Sequence, residues 1–461
     1  MEYQPIKGTH DIVNKEMDEY HYVTALFRAV SELYGYHEIM TPTLEYTEVF
    51  SRGTGASSDI VRKEMYTFLD KGNRSVTMRP EFTAGVMRSI VSNKLYVSND
   101  APIKLFYSGP AFRYERPQLG RYRQFNQFGV EAVGVDSPYL DAETILLAVQ
   151  AFSMLGFQDI SLKVNTLGDE GSRKAYREAL KAYFASHIDE MCDDCHARLE
   201  LNPMRILDCK VEKDQEIASH APKMKDYLSE ESEARFYKTL SILNDFGVKY
   251  EVDDSLVRGL DYYSEIVFEV HAKSPDGKDY GALCGGGHYT GLTKEFGGPD
   301  MVGVGFAVGV ERIMALMEEL DLFDGVESQL DVYLMPIGEE TMEDAFHLAS
   351  NIRMIGYSCE MPYAPAKLGS YFKKAEKRHA QFGIILGEEE LKRGVCQLKD
   401  LVSKEQVEIK IDNLEEELDK RFEEKESECE CGCHDHDEEH HCCHDHEEER
   451  HCCCKEHHEG K

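Results

Sequence analysis

Hydrophobic and polar positions divide the chain into stretches of different character. IKLFYSGPAFRYE and RQFNQFGVEAVGV are two strand-like runs separated by the polar segment RPQLGRY, a pattern that predicts an antiparallel hairpin with a long loop. YSEIVFEVHA and GALCGGGHY form a second pair around the turn SPDGKD. Residues 170–247 instead space Leu, Tyr and Phe along charged faces and predict mostly helix. This describes an α+β fold: a mostly antiparallel sheet domain over residues 1–325, with a helical insertion at about 170–247.

A second organisation begins after the turn-like stretch LDLFDGVESQ. DVYLMPIG reads as a buried strand, 341–355 as a helix, 358–361 as a strand, 368–379 as a basic helix and FGIILG as a strand. This alternation predicts a small α/β domain over 329–415 with a mainly parallel sheet. A short helix is expected at 414–422. Residues 416–461 contain almost nothing apolar to bury and read as an acidic Cys/His-rich tail, disordered without metal. No internal repeat of fixed period is found.

Composition narrows the function classes. The 461 residues suffice for about three domains. Lys and Arg number 52 against 86 Asp and Glu, a net charge of −34, which argues against non-specific duplex DNA binding. A local basic patch on an acidic chain still allows RNA contact. No run approaches the roughly 18–20 apolar residues of a bilayer span, and MEYQPIKGTHDIVNKEMDEY lacks the basic start and apolar run of a secretory signal. A cytoplasmic protein with no membrane or DNA partner is expected. Of 14 cysteines, eight lie in the last 33 residues; the other six are too dispersed for a disulfide framework.

Four segments concentrate the chemistry. FRYERPQLGRYRQFNQFGVE sets Arg113, Arg116, Arg121 and Arg123 within 11 residues, interleaved with aromatics. Guanidinium forks suit bidentate phosphate binding and aromatic rings stack on a base; the alternative is a solvated charged hairpin. GVGFAVGVERI has glycines at 303, 305 and 309, but its spacing is wrong for a dinucleotide fingerprint. It reads as a strand-to-helix junction that holds Arg312 near the helix start. LVRGLDYYSEIVF places Arg258, Tyr262 and Tyr263 in apolar surroundings, the two tyrosines on opposite faces if extended. TMRPEFTAG sets Arg79, Glu81 and Thr83 on one face if extended, as the wall of a polar pocket.

In order and spacing, these segments resemble the class II aminoacyl-tRNA synthetases, and specifically the histidyl-tRNA synthetases, over about residues 3–415. EIMTPTLEYTEVF, with Pro42, resembles the first class II motif, used at a dimer interface. FRYERPQLGRYRQF resembles the second and GVGFAVGVERI the third. LVRGLDYYSEIVFE and GALCGGGHYTGL resemble the two histidine-specific signatures. The resemblance implies ATP-dependent activation of L-histidine to the adenylate and transfer to tRNA(His) by a homodimer. MgATP is the nucleotide substrate. Arg113 is implied to hold the α-phosphate, Glu115 and Phe125 to contact adenine, and Arg312 to hold the γ-phosphate, with Arg121 also on ATP. Glu81, Thr83 and Gln127 are implied to fix the amino group of histidine, and Glu131 and Tyr263 its ring nitrogens, with Tyr262 beside them. Arg258 would neutralise charge developing at the reacting phosphate and carboxylate. The 329–415 domain resembles an anticodon-binding domain, in which Lys373, Lys374, Lys377 and Arg378, with Lys367 upstream, would meet RNA phosphates.

The sequence departs from that family where GGRYDGL is usual: here His288 stands for an arginine and Thr290 for an aspartate. Asn126 stands where a histidine is common. Two other readings compete. One is a non-catalytic regulatory paralogue of an ATP phosphoribosyltransferase, which generally lacks the full ligand set and the last domain. The other is a metal-handling protein acting through its tail, which predicts that tail deletion abolishes function; the synthetase reading predicts that residues 1–415 still charge tRNA. The tail offers Cys429, Cys431, Cys433, His434, His436, Cys442, Cys443, His444, His446, Cys452, Cys453 and Cys454, donors that suit Zn, Ni or Cu. Cys192 and Cys195 form a C-x-x-C with His196 and Cys209 nearby, read as free thiols embedded in helix, with a zinc site as the alternative.

Overall fold

The computed structural model describes residues 3–55, 58–98, 101–117, 120–273, 279–326 and 328–430. The chain divides into two compact units, Met1–Glu327 and Ser328–Lys461.

The first unit opens with α1 (Lys15–Leu33). Its Val23, Phe27 and Val30 recur at spacings of four and three and are completely buried. After β1 (His37–Glu38) come β2 (Leu44–Tyr46), α2 (Thr47–Gly53), β3 (Tyr66–Leu69) and β4 (Ser75–Met78), with α3 (Thr83–Ser92) next. β2, β4 and β3 form a small antiparallel sheet. The first expected hairpin is β5 (Ile103–Phe112) with β6 (Gln124–Val133), antiparallel with Tyr107 opposite Gly129. Next are α4 (Pro138–Met154) and β7 (Ile160–Thr166). The helical insertion holds α5 (Glu170–Ala185), α6 (Asp193–Leu201), α7 (Glu212–Ser219) and α8 (Glu230–Asp245). Then come β8 (Tyr250–Val252) and the second hairpin, β9 (Tyr263–Lys273) with β10 (Asp279–Tyr289). α9 (Leu292–Glu295), β11 (Gly303–Gly309) and α10 (Val310–Glu319) complete the unit.

Its main sheet has the order β1-β5-β6-β11-β10-β9-β7-β8. Pairing is antiparallel from β5 through β7 and parallel at both edges. Strand alternation sorts its side chains between two faces. Phe106, Phe128, Val130 and Phe306 pack with α1, α4 and α10 in one apolar cluster. Tyr107, Glu131 and Tyr289 point the other way, towards α3 and the insertion. β11 is antiparallel to both its neighbours, which excludes a parallel βαβ dinucleotide unit at GVGFAVGVERI.

Two local expectations fail here. The strand of TMRPEFTAG ends at Met78, because Pro80 has no N–H to extend the ladder. Arg79 therefore turns away to donate to the Thr41 and Pro110 carbonyls, while Glu81 and Thr83 gather at the start of α3. Tyr262 sits in the turn before β9 rather than in the strand. The two tyrosines thus lie side by side, ring centroids 4.6 Å apart, instead of on opposite faces.

In the second unit β12 (Val332–Pro336), α11 (Met342–Met354), β13 (Cys359–Glu360), α12 (Leu368–Lys377) and β14 (Phe382–Leu386) follow the expected alternation. α13 (Glu388–Arg393) leads into the hairpin β15 (Val395–Asp400) and β16 (Gln406–Lys410), absent from the sequence reading. The sheet β13-β12-β14-β15-β16 is consequently mixed, parallel on one side of β14 and antiparallel on the other, rather than mainly parallel. α14 runs Leu414–Glu430, well past 422. Leu414 and Leu418 are buried in the unit's core and Phe422 stacks on Tyr357 at 4.7 Å. Residues 416–425 thus pack as part of this unit, which corrects the tail boundary at 416. Residues 431–461, with the tail ligands from Cys431 onward, and the side chain of Cys429 lie outside the described residues.

Candidate active site

The inward face of the large sheet, the start of α3 and the Leu256–Tyr263 segment enclose a cavity of about 360 Å³. At its floor Glu131 is 2% exposed on β6. Thr83 Oγ1 donates to its Oε1 at 2.6 Å, Tyr107 OH to the same oxygen at 3.3 Å and Tyr289 OH to Oε2 at 2.6 Å. Burial pushes the Glu131 carboxyl up to about 7, against these hydrogen bonds, with the Glu81 carboxylate adding to the rise. Glu81 is buried too and its carboxyl is raised by desolvation, although the Ala84 N–H at the start of α3 donates to it at 3.1 Å. Gln127 lies on the same face of β6, lining the same cavity, its Oε1 buried without a partner. Tyr262 and Tyr263 close the same end.

The other end is cationic. Arg113 donates to the Pro80 carbonyl at 2.8 Å and its guanidinium lies 5.2 Å from the Phe125 ring centroid. Glu115 sits between Arg113 at 3.9 Å and Arg121 at 3.6 Å. Arg312, in the first turn of α10, donates to the Ala282 carbonyl at 2.6 Å. Burial, then the neighbouring positive charge of Arg121, pulls its guanidinium down to about 10. Gathering like charges this closely is unfavourable unless a polyanion enters between them. Arg258 pairs with Glu269 on β9 and lies over the Tyr263 ring at 5.6 Å. Although desolvation opposes it, Arg258 and then His271 hold the Glu269 carboxyl below its ordinary value.

Arg113, Glu115, Arg121, Phe125 and Arg312 thus share one cavity with Glu81, Thr83, Gln127, Glu131, Arg258, Tyr262 and Tyr263. Sequence reasoning missed Tyr107, Tyr289 and Glu269. Tyr289 stood inside a quoted signature and Glu269 on an expected strand, but only the register shows that they face inward. Glycines make the room. A Cβ at Gly285 would collide with the Arg258 guanidinium, and one at Gly305, paired with Glu131 in the ladder, with the Glu131 carboxylate.

The departures resolve physically. His288 points behind the sheet, away from Tyr289, and its Nδ1 lies 3.1 Å from Asp141 Oδ1. Arg235 of α8 pairs with the same Asp141 at 2.7 Å, so this buried carboxylate has both an imidazole and a guanidinium beside it. Thr290 is exposed. Asn126 donates from its backbone N–H and its Nδ2 to Glu311 of α10, both at 2.8 Å, and so ties β6 to the third motif.

A mainly antiparallel sheet beneath a cavity lined by four arginines, one of them (Arg312) carried by a strand-to-helix junction, is the catalytic unit of a class II aminoacyl-tRNA synthetase. Residues 8–313 match the family model "Histidyl-tRNA synthetase" and residues 331–421 the model "Anticodon binding domain". The chain is 46% identical over 411 residues to the histidine–tRNA ligase of Anoxybacillus flavithermus, covering 89% of this chain and 97% of that protein. It is 44% identical to that of Geobacillus sp. over 425 residues, covering 92% and 100%. The crystal structure of apo Staphylococcus aureus histidyl-tRNA synthetase superposes with a TM-score of 0.77 at 36% identity, covering 90% of this chain and all of that one. The chain belongs to the histidyl-tRNA synthetase family: it activates histidine with ATP and charges tRNA with it.

Proposed function

We propose that the cavity binds histidine at the Glu131 end and MgATP at the arginine end, with the residue roles set out above. The substrate carboxylate, already ionised, attacks the α-phosphorus; pyrophosphate leaves and histidyl-adenylate forms. No general base is needed. Arg113 and Arg258 counter the charge that builds on the phosphorus oxygens, where fixed donors in a dry site contribute several kcal/mol (roughly 2.7–4 per donor). Glu131 and Tyr263 bond the two ring nitrogens of histidine, while Glu81, Thr83 and Gln127 hold its ammonium. In the second step the tRNA terminal hydroxyl attacks the adenylate carbonyl and AMP leaves.

The observation that supports this best is the convergence of Arg113, Arg258, Arg312 and Glu131 on one cavity. It also weighs against the regulatory-paralogue reading, since the ligand set is complete and the second unit is present. We further propose a cytoplasmic homodimer using the Pro42 segment, RNA contact by the exposed Lys373, Lys374 and Lys377 of α12, and metal capture by the tail. Arg378 is already engaged by Glu360 at 3.1 Å, which lowers its share in RNA binding. The direct test is ATP–pyrophosphate exchange with each of the twenty amino acids. Only histidine should stimulate it; stimulation by another amino acid, or by none, overturns the assignment of the cavity.

A further inference from the structure

Four donors meet in the helical insertion, and none of them lines the catalytic cavity. Cys192 caps the start of α6 and Cys195 lies in its first turn; Cys209 follows the 3-10 turn Pro203–Asp208, and Asp214 lies in the first turn of α7. Their ligand atoms all fall within 4.8 Å of one another. Cys195, Cys209 and Asp214 are 0, 3 and 1% exposed.

The distances carry information. Zinc holds thiolate sulfur at about 2.3 Å and carboxylate oxygen at about 2.0–2.2 Å. A tetrahedron of that size has S···S edges of about 3.8 Å and S···O edges of about 3.5 Å. Cys192 Sγ lies 3.8 Å from Cys209 Sγ, and Cys209 Sγ lies 3.3 Å from Asp214 Oδ2. A disulfide needs roughly 2.0 Å. The Asp214 carboxylate is a second, independent observation. It accepts from the Cys192 N–H at 3.1 Å and from the Cys209 thiol, yet among the described residues no Lys, Arg or His side chain pairs with it. A buried carboxylate served by one amide and the weakly donating thiols of Cys192, Cys195 and Cys209 lacks a cation.

We propose that Cys192, Cys195, Cys209 and Asp214 form a closed, four-coordinate structural site for one Zn²⁺. Binding releases three thiol protons to solvent and leaves three thiolates and one carboxylate around the ion. The amides at the start of α6 favour the thiolates there. Asp214 replaces His196, the ligand suggested by sequence proximity; His196 is exposed on α6 outside the group. The ion pins α6, the 3-10 turn and α7 together. The first two of these also hold the edge of the active site: Arg198 and Arg205 grip Asp59 at 3.3 and 2.8 Å, and Asn202 donates to Asp261 at 2.9 Å. Asp59 adjoins Ile60 and Asp261 adjoins Tyr262, both in the cavity wall. The site is therefore a brace beneath the catalytic rim.

The tail must be silenced to test this. In the full-length chain with its eight tail cysteines changed to serine, chelator-stripped and titrated with Co²⁺, one equivalent should give a thiolate-to-cobalt charge-transfer band together with the intense visible bands of a tetrahedral site. Zn²⁺ should bleach both. Asp214→Asn should weaken cobalt binding at least tenfold, and Asp214→Cys should keep the site with a stronger charge-transfer band. In Cys195→Ser/Cys209→Ser the band should vanish, with far-ultraviolet circular dichroism and a cooperative melt reporting that the protein is folded. If the double variant fails to fold, the two Asp214 variants decide. A folded protein with no charge-transfer band at saturating Co²⁺, a band unaltered in every variant, or a Cys192–Cys209 disulfide in the stripped protein under reductant would overturn the proposal.

Discussion

Glu131 shows how one residue sets function against stability. A carboxyl raised from an ordinary 4.5 to about 7 keeps a proton in the folded state that the unfolded chain has already released between those values. Stability therefore falls as pH rises through this window and stays lower above it, by roughly 3 kcal/mol for a buried group. Glu131→Gln cannot titrate. It should match the parent chain near pH 4.5, gain on it up to pH 7 and hold a constant advantage at pH 8, read as a rise in denaturation midpoint. Histidine-dependent exchange should fall on the order of 100-fold, because an amide cannot offer the ring nitrogens the same charge. A variant equally stable at pH 5 and pH 8 relative to the parent would refute the cause given for the raised carboxyl. At this scale the sequence revealed residue types in marked segments, such as Arg113 and Arg312. It did not reveal the hydroxyls of Tyr107 and Tyr289, because a tyrosine in a strand looks the same whether it packs apolar surface or points at a carboxylate.

At the scale of the element, the glycines of β10 and β11 matter more than their flexibility suggests. Gly285 lies opposite Glu269 in the ladder, and the Arg258 guanidinium occupies the space its side chain would take. Gly285→Ala should keep the strand, where alanine is tolerated, but displace Arg258. A loss of roughly 100-fold in exchange kcat with a smaller change in histidine KM is expected, since a misplaced guanidinium forfeits stabilisation mainly in the transition state. On α12, Lys373→Glu/Lys374→Glu should raise the KM for tRNA about tenfold or more and leave pyrophosphate exchange unchanged, because the cavity lies wholly in the other unit. Unchanged tRNA kinetics would remove the helix from the RNA surface. Both hairpins of the catalytic sheet were legible because long apolar runs flanked polar turns. The β15–β16 hairpin was less so: QVEIK alternates polar and apolar residues as a strand does, but VCQLKD and QVEIK are short and carry two charges each, so the signal is weak.

At the scale of the whole molecule, the position of the last packed residue decides how the tail can be judged. The composition change near 415 suggested a boundary there, since LEEELDKRFEEKESE is dominated by acids. Three apolar side chains at spacings of four, Leu414, Leu418 and Phe422, nevertheless anchor α14 to the second unit, and Lys425 pairs with Asp400 at 2.9 Å. So sparse a stripe is enough for a helix lying on a core already built by others, yet too weak to register in composition. A chain ending at 415 would lose Leu418 and Phe422 together, about 5–10 kcal/mol by the usual cost of emptying such sites, comparable with the whole stability of a small domain. Contrary to the expectation from sequence that residues 1–415 still charge tRNA, its second unit should melt early and its tRNA charging collapse, because Leu418 and Phe422 belong to that unit's core, while histidine-dependent exchange, confined to the first unit, persists. A chain ending at Glu430 keeps the anchors and drops nearly all tail thiols and every tail imidazole. It should charge tRNA at the rate of the full-length protein. If it failed to do so while α14 remained folded by circular dichroism, the Cys/His extension would be part of the synthetase's working machinery and not an independent metal-binding appendage.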